Sequence, residues 1–240
     1  MHELLLFGTV PASRHTQLLN ILSGISSMQP SPIHSEKHLV FKPNRPPGSV
    51  GSLKVGGAQD VNVQKSQMQA HTLGDLFYMQ MVAEVDGREK GEGEERWVLQ
   101  FRDLPEVARQ RTVTSRLIAD VRITSGDPME FMKALDYSHV STYTISGHRF
   151  THHSASLLLY RVTLPADALK TDSTSGGLPQ ARLLDPSGTY ILQASVRVQD
   201  GSKVETMTKG VNELLSLKET LKGVVELEIG DRLALDTRVR

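Results

Sequence analysis

Apolar residues alternate with polar ones over much of this chain, and three stretches switch to helical spacing. The longest alternating stretch, His139 to Pro165, reads as two long strands joined by a polar turn at His152, His153 and Ser154. Its first arm, Val140 to Thr151, is rich in Thr, Tyr, Ile, Val and Phe, which suit a pleated, half-buried surface. Its second arm, Ala155 to Leu164, sets Leu158, Tyr160, Val162 and Leu164 on one face and Leu157 and Leu159 on the other. A strand apolar on both faces is covered twice. Leu157 and Leu159 are therefore the candidate partner-binding residues, with the chain's own helix over Val204 to Leu221 as the alternative cover. Gly147, inside this pattern, predicts a bulge or a close approach of backbone.

The rest of the chain arranges itself around that hairpin. His2 to Val10 reads as a strand ended by Pro11. A helix follows from Arg14 to Ser27 on Leu18, Ile21, Leu22 and Ile25, with Ser13 as its cap and Gly24 and Pro30 marking where it frays. Strands are expected at His34–Lys42, Leu76–Val85, Arg96–Arg102, Val113–Ile123 and Tyr190–Gln199. In the fourth of these, Arg116 and Arg122 alternate with Leu117, Ala119, Val121 and Ile123. Asp127, Pro128 and Glu130 form a helix start for Pro128–Leu135, which should bury Met129, Met132 and Leu135. The last helix, Val204 to Leu221, has Gly210 as a weak point and Gly223 as its stop. A closing strand, Val224–Ile229, and a tail, Leu233–Arg240, complete the chain. Residues 44–74 are rich in Gly, Pro and Ser at their start, residues 166–188 show no period, and both read as flexible insertions.

Strands and helices in alternation could form a parallel sheet. Hairpin-like connections, alternating strands and the missing Gly-rich phosphate turn argue against one. The expected class is α+β, mostly β: a curled, largely antiparallel β-barrel flanked by a few helices, one domain over residues 1–240.

Composition narrows the function. Lys plus Arg and Asp plus Glu both number 27, so no charge imbalance draws the chain to nucleic acid or an anionic membrane. The chain has no cysteine, which removes disulfides, thiolate nucleophiles and cysteine-ligated metals, and fits a reducing compartment. The apolar run Leu4–Phe7 is too short for a signal peptide or a span, so a soluble intracellular protein is expected.

The motif search is mostly negative. GEGEER at Gly91–Arg96 lacks the third glycine of a dinucleotide fingerprint and carries carboxylates that repel phosphate. Gly51 and Gly56 have P-loop spacing, but Gly57 and Ala58 stand where Lys and Ser or Thr are required. His148 and His152 on a strand lie about 13 Å apart, too far to share one ion, and with His153 they read as turn residues in solvent. His34 and His38 have the same spacing and the same problem. Tunnel triphosphatases use Glu-x-Glu-x-Lys on a barrel strand. Glu226 and Glu228 match its acids, but Gly230 replaces the lysine. That pattern keeps one alternative open, a metal-dependent tunnel phosphohydrolase. Arg149 and Arg161 fall on barrel walls with their direction undecided. No catalytic residue, metal or cofactor is expected.

Three segments carry a family resemblance. ELLLFGTVPASRHTQLLNILSGISSMQP with HSEKHLVFKP, then LDYSHVSTYTISGHRFTHHSASLLLYRVTLP, then the strand, helix, strand end from Tyr190 to Ile229 resemble Mediator complex subunit 18, in a fungal form, over roughly two thirds of the chain. Gly147-His148-x-Phe150, the turn and Tyr160 are its most specific part. The resemblance implies a nuclear, non-enzymatic subunit of the Mediator head module, an antiparallel barrel related in fold to the tunnel triphosphatases. It also implies pairing with Mediator subunit 20, docking of a C-terminal helix of Mediator subunit 8, and indirect communication with RNA polymerase II and transcription regulators. No direct contact with nucleic acid or membrane is expected.

Overall fold

The computed structural model describes residues 1–30, 34–45, 76–85, 96–107, 112–165 and 182–239. Among the described residues, nine strands and three α-helices follow one another as β1 (His2–Val10), α1 (His15–Ser26), β2 (His34–Pro43), β3 (Met79–Glu84), β4 (Trp97–Arg102), β5 (Thr114–Arg122), α2 (Pro128–Ala134), β6 (Tyr137–His152), β7 (Ala155–Leu164), β8 (Arg182–Leu183), β9 (Tyr190–Val198) and α3 (Val204–Leu221). The strands pair antiparallel in the order β6-β2-β3-β4-β5-β1-β9-β7, and β7 returns to β6 to close an eight-stranded barrel. β8 continues the edge of β7 at Thr163 and Leu164, beyond the point where β9 leaves it.

Closure makes the period-2 pattern legible as inside against outside. Outward residues are the apolar ones. Leu4, Leu6, Phe150, Leu157, Leu159, Leu192, Ala194 and Val196 form one buried cluster with Leu18 and Leu22 of α1 and Leu214, Leu217 and Leu221 of α3. Leu39, Phe41, Met81, Trp97 and Leu99 form a second cluster around Met132 of α2. Each helix thus seals a patch of outer wall with its apolar stripe.

Several local expectations hold for physical reasons. Asp127 Oδ1 accepts from the Met129 amide at 2.8 Å and caps α2. Gly147 marks a close approach: a Cβ there would lie 2.0 Å from the Leu159 carbonyl oxygen. Gly223 ends α3 at φ +80°.

Others are corrected. Ser13 lies in a 3-10 turn, Ala12–Arg14, and α1 has no side-chain cap. α1 runs through Gly24 and stops at Ser27, whose φ is 54°. Gly210 is no weak point. α3 crosses the wall so closely there that a Cβ would fall 2.8 Å from Leu4 Cδ1. α2 buries Met132 alone, while Met129 and Leu135 are 41% and 45% exposed, because a seven-residue helix lying on a curved wall offers it one line of contact. On β5 it is Ile118 that is buried, and Leu117 and Val121 face outward and exposed.

The C-terminal segment differs most. Val224–Ile229 is not a strand; it makes one bridge, Glu228 with Phe7, on the edge of β1 beyond Leu5, where β5 has departed. Gly8 permits this crossing, since a Cβ would stand 2.4 Å from Val225 Cγ1. Residues 233–239 are not a free tail. The Tyr78 amide donates to the Thr237 carbonyl at 2.7 Å, the Val239 amide donates to the Leu76 carbonyl at 2.7 Å, and Val239 is buried. Of the two proposed insertions, residues 46–74 and 166–181 lie outside the described residues. Asn44, at the start of the first, is held by Asp136 and Ser138. In the second, Arg182 and Leu183 pair with β7.

Candidate functional site

The inward positions are mostly polar, with Phe7, Val40, Ile145 and Leu158 among them, and they line a cavity of about 780 Å³. Its wall carries a chain of alternating charges. Arg116 donates to Glu3 Oε2 from Nε at 2.9 Å and from Nη2 at 2.7 Å. Arg197 lies 4.0 Å from Glu3 and donates to Asp120 Oδ2 at 3.1 Å, while Arg102 meets the other oxygen of Asp120 at 2.5 Å. Glu3 is 3% exposed, so its charge is held by Arg116 rather than by water, whereas Arg197 on its other side is half exposed.

A second group sits on β2. His34 Nε2 stands 2.7 Å from Glu36 Oε1, His38 Nε2 stands 3.4 Å from Oε2, and Arg149 Nη2 donates to Oε1 at 2.9 Å. Burial alone would push the Glu36 carboxyl up. The hydrogen bond from His34, the nearby His38 ring and the charge of Arg149 outweigh it and hold the carboxyl well below its usual range. Above them, Tyr160 is enclosed in the lumen, where burial and then the neighbouring Tyr143 push its phenol up to about 12. Ala234, Leu235 and Thr237 of the C-terminal segment also line the cavity, and the Thr237 hydroxyl donates to the Arg102 carbonyl at 2.5 Å.

The residues singled out from sequence fall as follows. Leu157 and Leu159 point outward and are 0% exposed under α1 and α3. Leu158 and Tyr160 face the lumen. Arg149 points in, to Glu36, whereas Arg161 points out and stacks 4.6 Å from the Tyr190 ring. Glu226 and Glu228 are exposed on the outside beside β1, with Glu226 accepting from the Gly223 amide at 3.1 Å. They do not line the lumen, so the phosphohydrolase reading loses its acids. The histidines are not solvent turn residues as a group. His148 lies on β6, 5.8 Å from the His15 ring, and His152 meets the Ile25 carbonyl at the end of α1 at 3.0 Å. His34 and His38, although far apart along the strand, converge on the carboxylate between them. The signal was His-x-Glu-x-His, three residues on one strand face.

An antiparallel barrel with helices packed on parts of its outer wall and paired charges in its lumen is the structural class this chain presents. The comparisons supply the particular family. The family described as Med18 protein matches residues 2–238. The chain is 36% identical over 280 residues to the Mediator of RNA polymerase II transcription subunit 18 of Aspergillus clavatus, and 37% identical over 270 residues to that of Aspergillus fumigatus, with 100% of each chain covered. In fold it is similar to a chain in the structure of the Schizosaccharomyces pombe Mediator head module, at a TM-score of 0.70 and 19% identity, covering 96% of this chain and 99% of that one. The chain belongs to the Med18 family. It is a non-enzymatic subunit of the Mediator complex.

Proposed function

We propose that this subunit works in the Mediator head module in the nucleus, as one folded domain that couples transcription regulators to RNA polymerase II through other Mediator subunits. The observation that carries the reading is the family match across residues 2–238, joined to a likeness in fold to a chain of a Mediator head module. The partners are Mediator subunit 20, as a heterodimer, and the C-terminal helix of subunit 8. Exposed apolar side chains support surfaces of this kind: Leu117 and Val121 on β5, Met129 and Phe131 on α2, and Leu135 just past its end. Leu157 and Leu159 enter indirectly. With no exposed surface they seat α1 and α3, and a partner feels them through those helices. Affinity purification of the tagged chain from nuclear extract tests the proposal. Recovery of subunits 20 and 8 in comparable amounts is expected; recovery of the chain without other Mediator subunits overturns it.

A further inference from the structure

We propose that the end of the barrel where β2 and β3 pair binds one divalent transition-metal ion of the zinc class between His34, Glu36 and Glu84. β2 places His34 and Glu36 two residues apart on one face, and the His34 Nε2 to Glu36 Oε1 distance is 2.7 Å. The antiparallel register sets Glu84 of β3 directly opposite Glu36, so its carboxylate joins the same face. One donor atom from each of the three residues falls within 4.8 Å of the other two.

Two carboxylates directly opposite each other across a ladder repel; Arg149, 2.9 Å from Glu36 Oε1, offsets part of that cost, and a cation between the two carboxylates offsets more. The donor set chooses the ion. One imidazole and two carboxylates suit Zn²⁺, whereas Mg²⁺ and Ca²⁺ prefer oxygen alone. Around a tetrahedral Zn²⁺ at about 2.0–2.2 Å from its ligands, the donor atoms stand roughly 3.3 Å apart. The cluster reaches that spacing if the exposed Glu84 side chain swings inward and His34 withdraws slightly from Glu36.

A second observation comes from the neighbouring position. His38 is 6% exposed, and neither ring nitrogen makes a well-formed hydrogen bond. Its Nε2, 3.4 Å from Glu36 Oε2, steadies the oxygen turned away from the ion, as partners of metal-ligating carboxylates do. Arg149 now shares Glu36 Oε1 and gives that share up to the ion. Bound there, the metal clips β2 to β3 at the barrel's rim.

The test uses the full chain, freed of any affinity tag and stripped of metal, titrated with Zn²⁺ alone by calorimetry and by competition with a chromophoric chelator. One equivalent should bind with a Kd tighter than roughly 10 μM and raise the melting temperature. Glu84→Gln, a change at an exposed position, and His34→Ala should each weaken binding at least about tenfold, since losing even a residue that only supports a ligand costs that much. His153→Ala, at the β6–β7 turn, should leave it unchanged. Absence of one-to-one binding, or an unchanged affinity in a Glu84→Gln variant whose circular dichroism matches the parent, overturns the proposal.

Discussion

Gly147 of β6 stands directly opposite Tyr160 of β7, and a methyl group on Gly147 would meet the Leu159 carbonyl oxygen at 2.0 Å and the Tyr160 Cα at 2.6 Å. This pair lies on the seam where the sheet closes. A side chain there must push backbone, which has no rotamer to yield with. Gly147→Ala should therefore cost about 1–3 kcal/mol, the range of overpacked interiors. A urea denaturation midpoint unchanged from the parent would count against so tight a seam.

The lumen charges make a second prediction. Glu3 has Arg116 at 2.7 Å and Arg197 at 4.0 Å, and its side chain is 4% exposed. Glu3→Gln leaves the buried Arg116 guanidinium without its carboxylate, while Arg197 keeps Asp120, and should destabilise by roughly 3–5 kcal/mol, as breaking a buried pair does. Glu219→Gln, which removes the exposed i,i+3 pair with Lys222, should leave the midpoint where it was. Equal effects of the two changes would mean that the lumen is as well hydrated as the surface.

Leu159 reports on the helix-covered wall. Leu159→Ala should cost about 2–5 kcal/mol by thermal or urea denaturation, because Leu159 has no exposed surface and packs in the cluster that α1 and α3 seal. Hydrogen exchange in α1 and α3 should rise with it. Loss of partner binding without loss of stability would instead place the partner directly on this residue.

Tyr160 gives the structure a signature at high pH. Its phenol is pushed up to about 12 in the folded state, against about 10 in an unfolded chain. The folded protein thus holds this proton more tightly. The associated stability, on the order of 2–3 kcal/mol, is complete below pH 10 and is lost as the pH rises from 10 to 12. Tyr160→Phe should show a shallower fall in urea midpoint over that window. Tyrosinate absorbance should reveal one late-titrating phenol in the parent that the variant lacks.

How much was legible beforehand follows from where each signal is stored. The alternation of Leu157 and Leu159 with Leu158 and Tyr160 is a local property, and it predicted a strand with two covered faces. Which face met the helices and which met the lumen depends on closure, a contact between β6 and β7 that no local window contains. Glu226 and Glu228 mimicked a tunnel motif, but Val225 and Leu227 are the residues drawn into the core, and burying them turns both acids out. Met129 and Leu135 were misassigned because helical spacing gives a stripe but not the curvature of the surface under it. The His34, Glu36 and His38 group was missed because strand rise was used to separate two histidines, when the carboxylate between them brings both to one point. The C-terminal residues 233–239 carried no period, and their order comes from hydrogen bonds to residues 76–78, far away in sequence.

The central claim, that this barrel serves assembly, is tested most directly by co-expressing the chain with Mediator subunit 20 and the C-terminal helix of subunit 8 and measuring the mass of the purified product by light scattering. A stable complex with one copy of each is the predicted result. A chain that purifies alone as a folded monomer in the presence of both partners would contradict it.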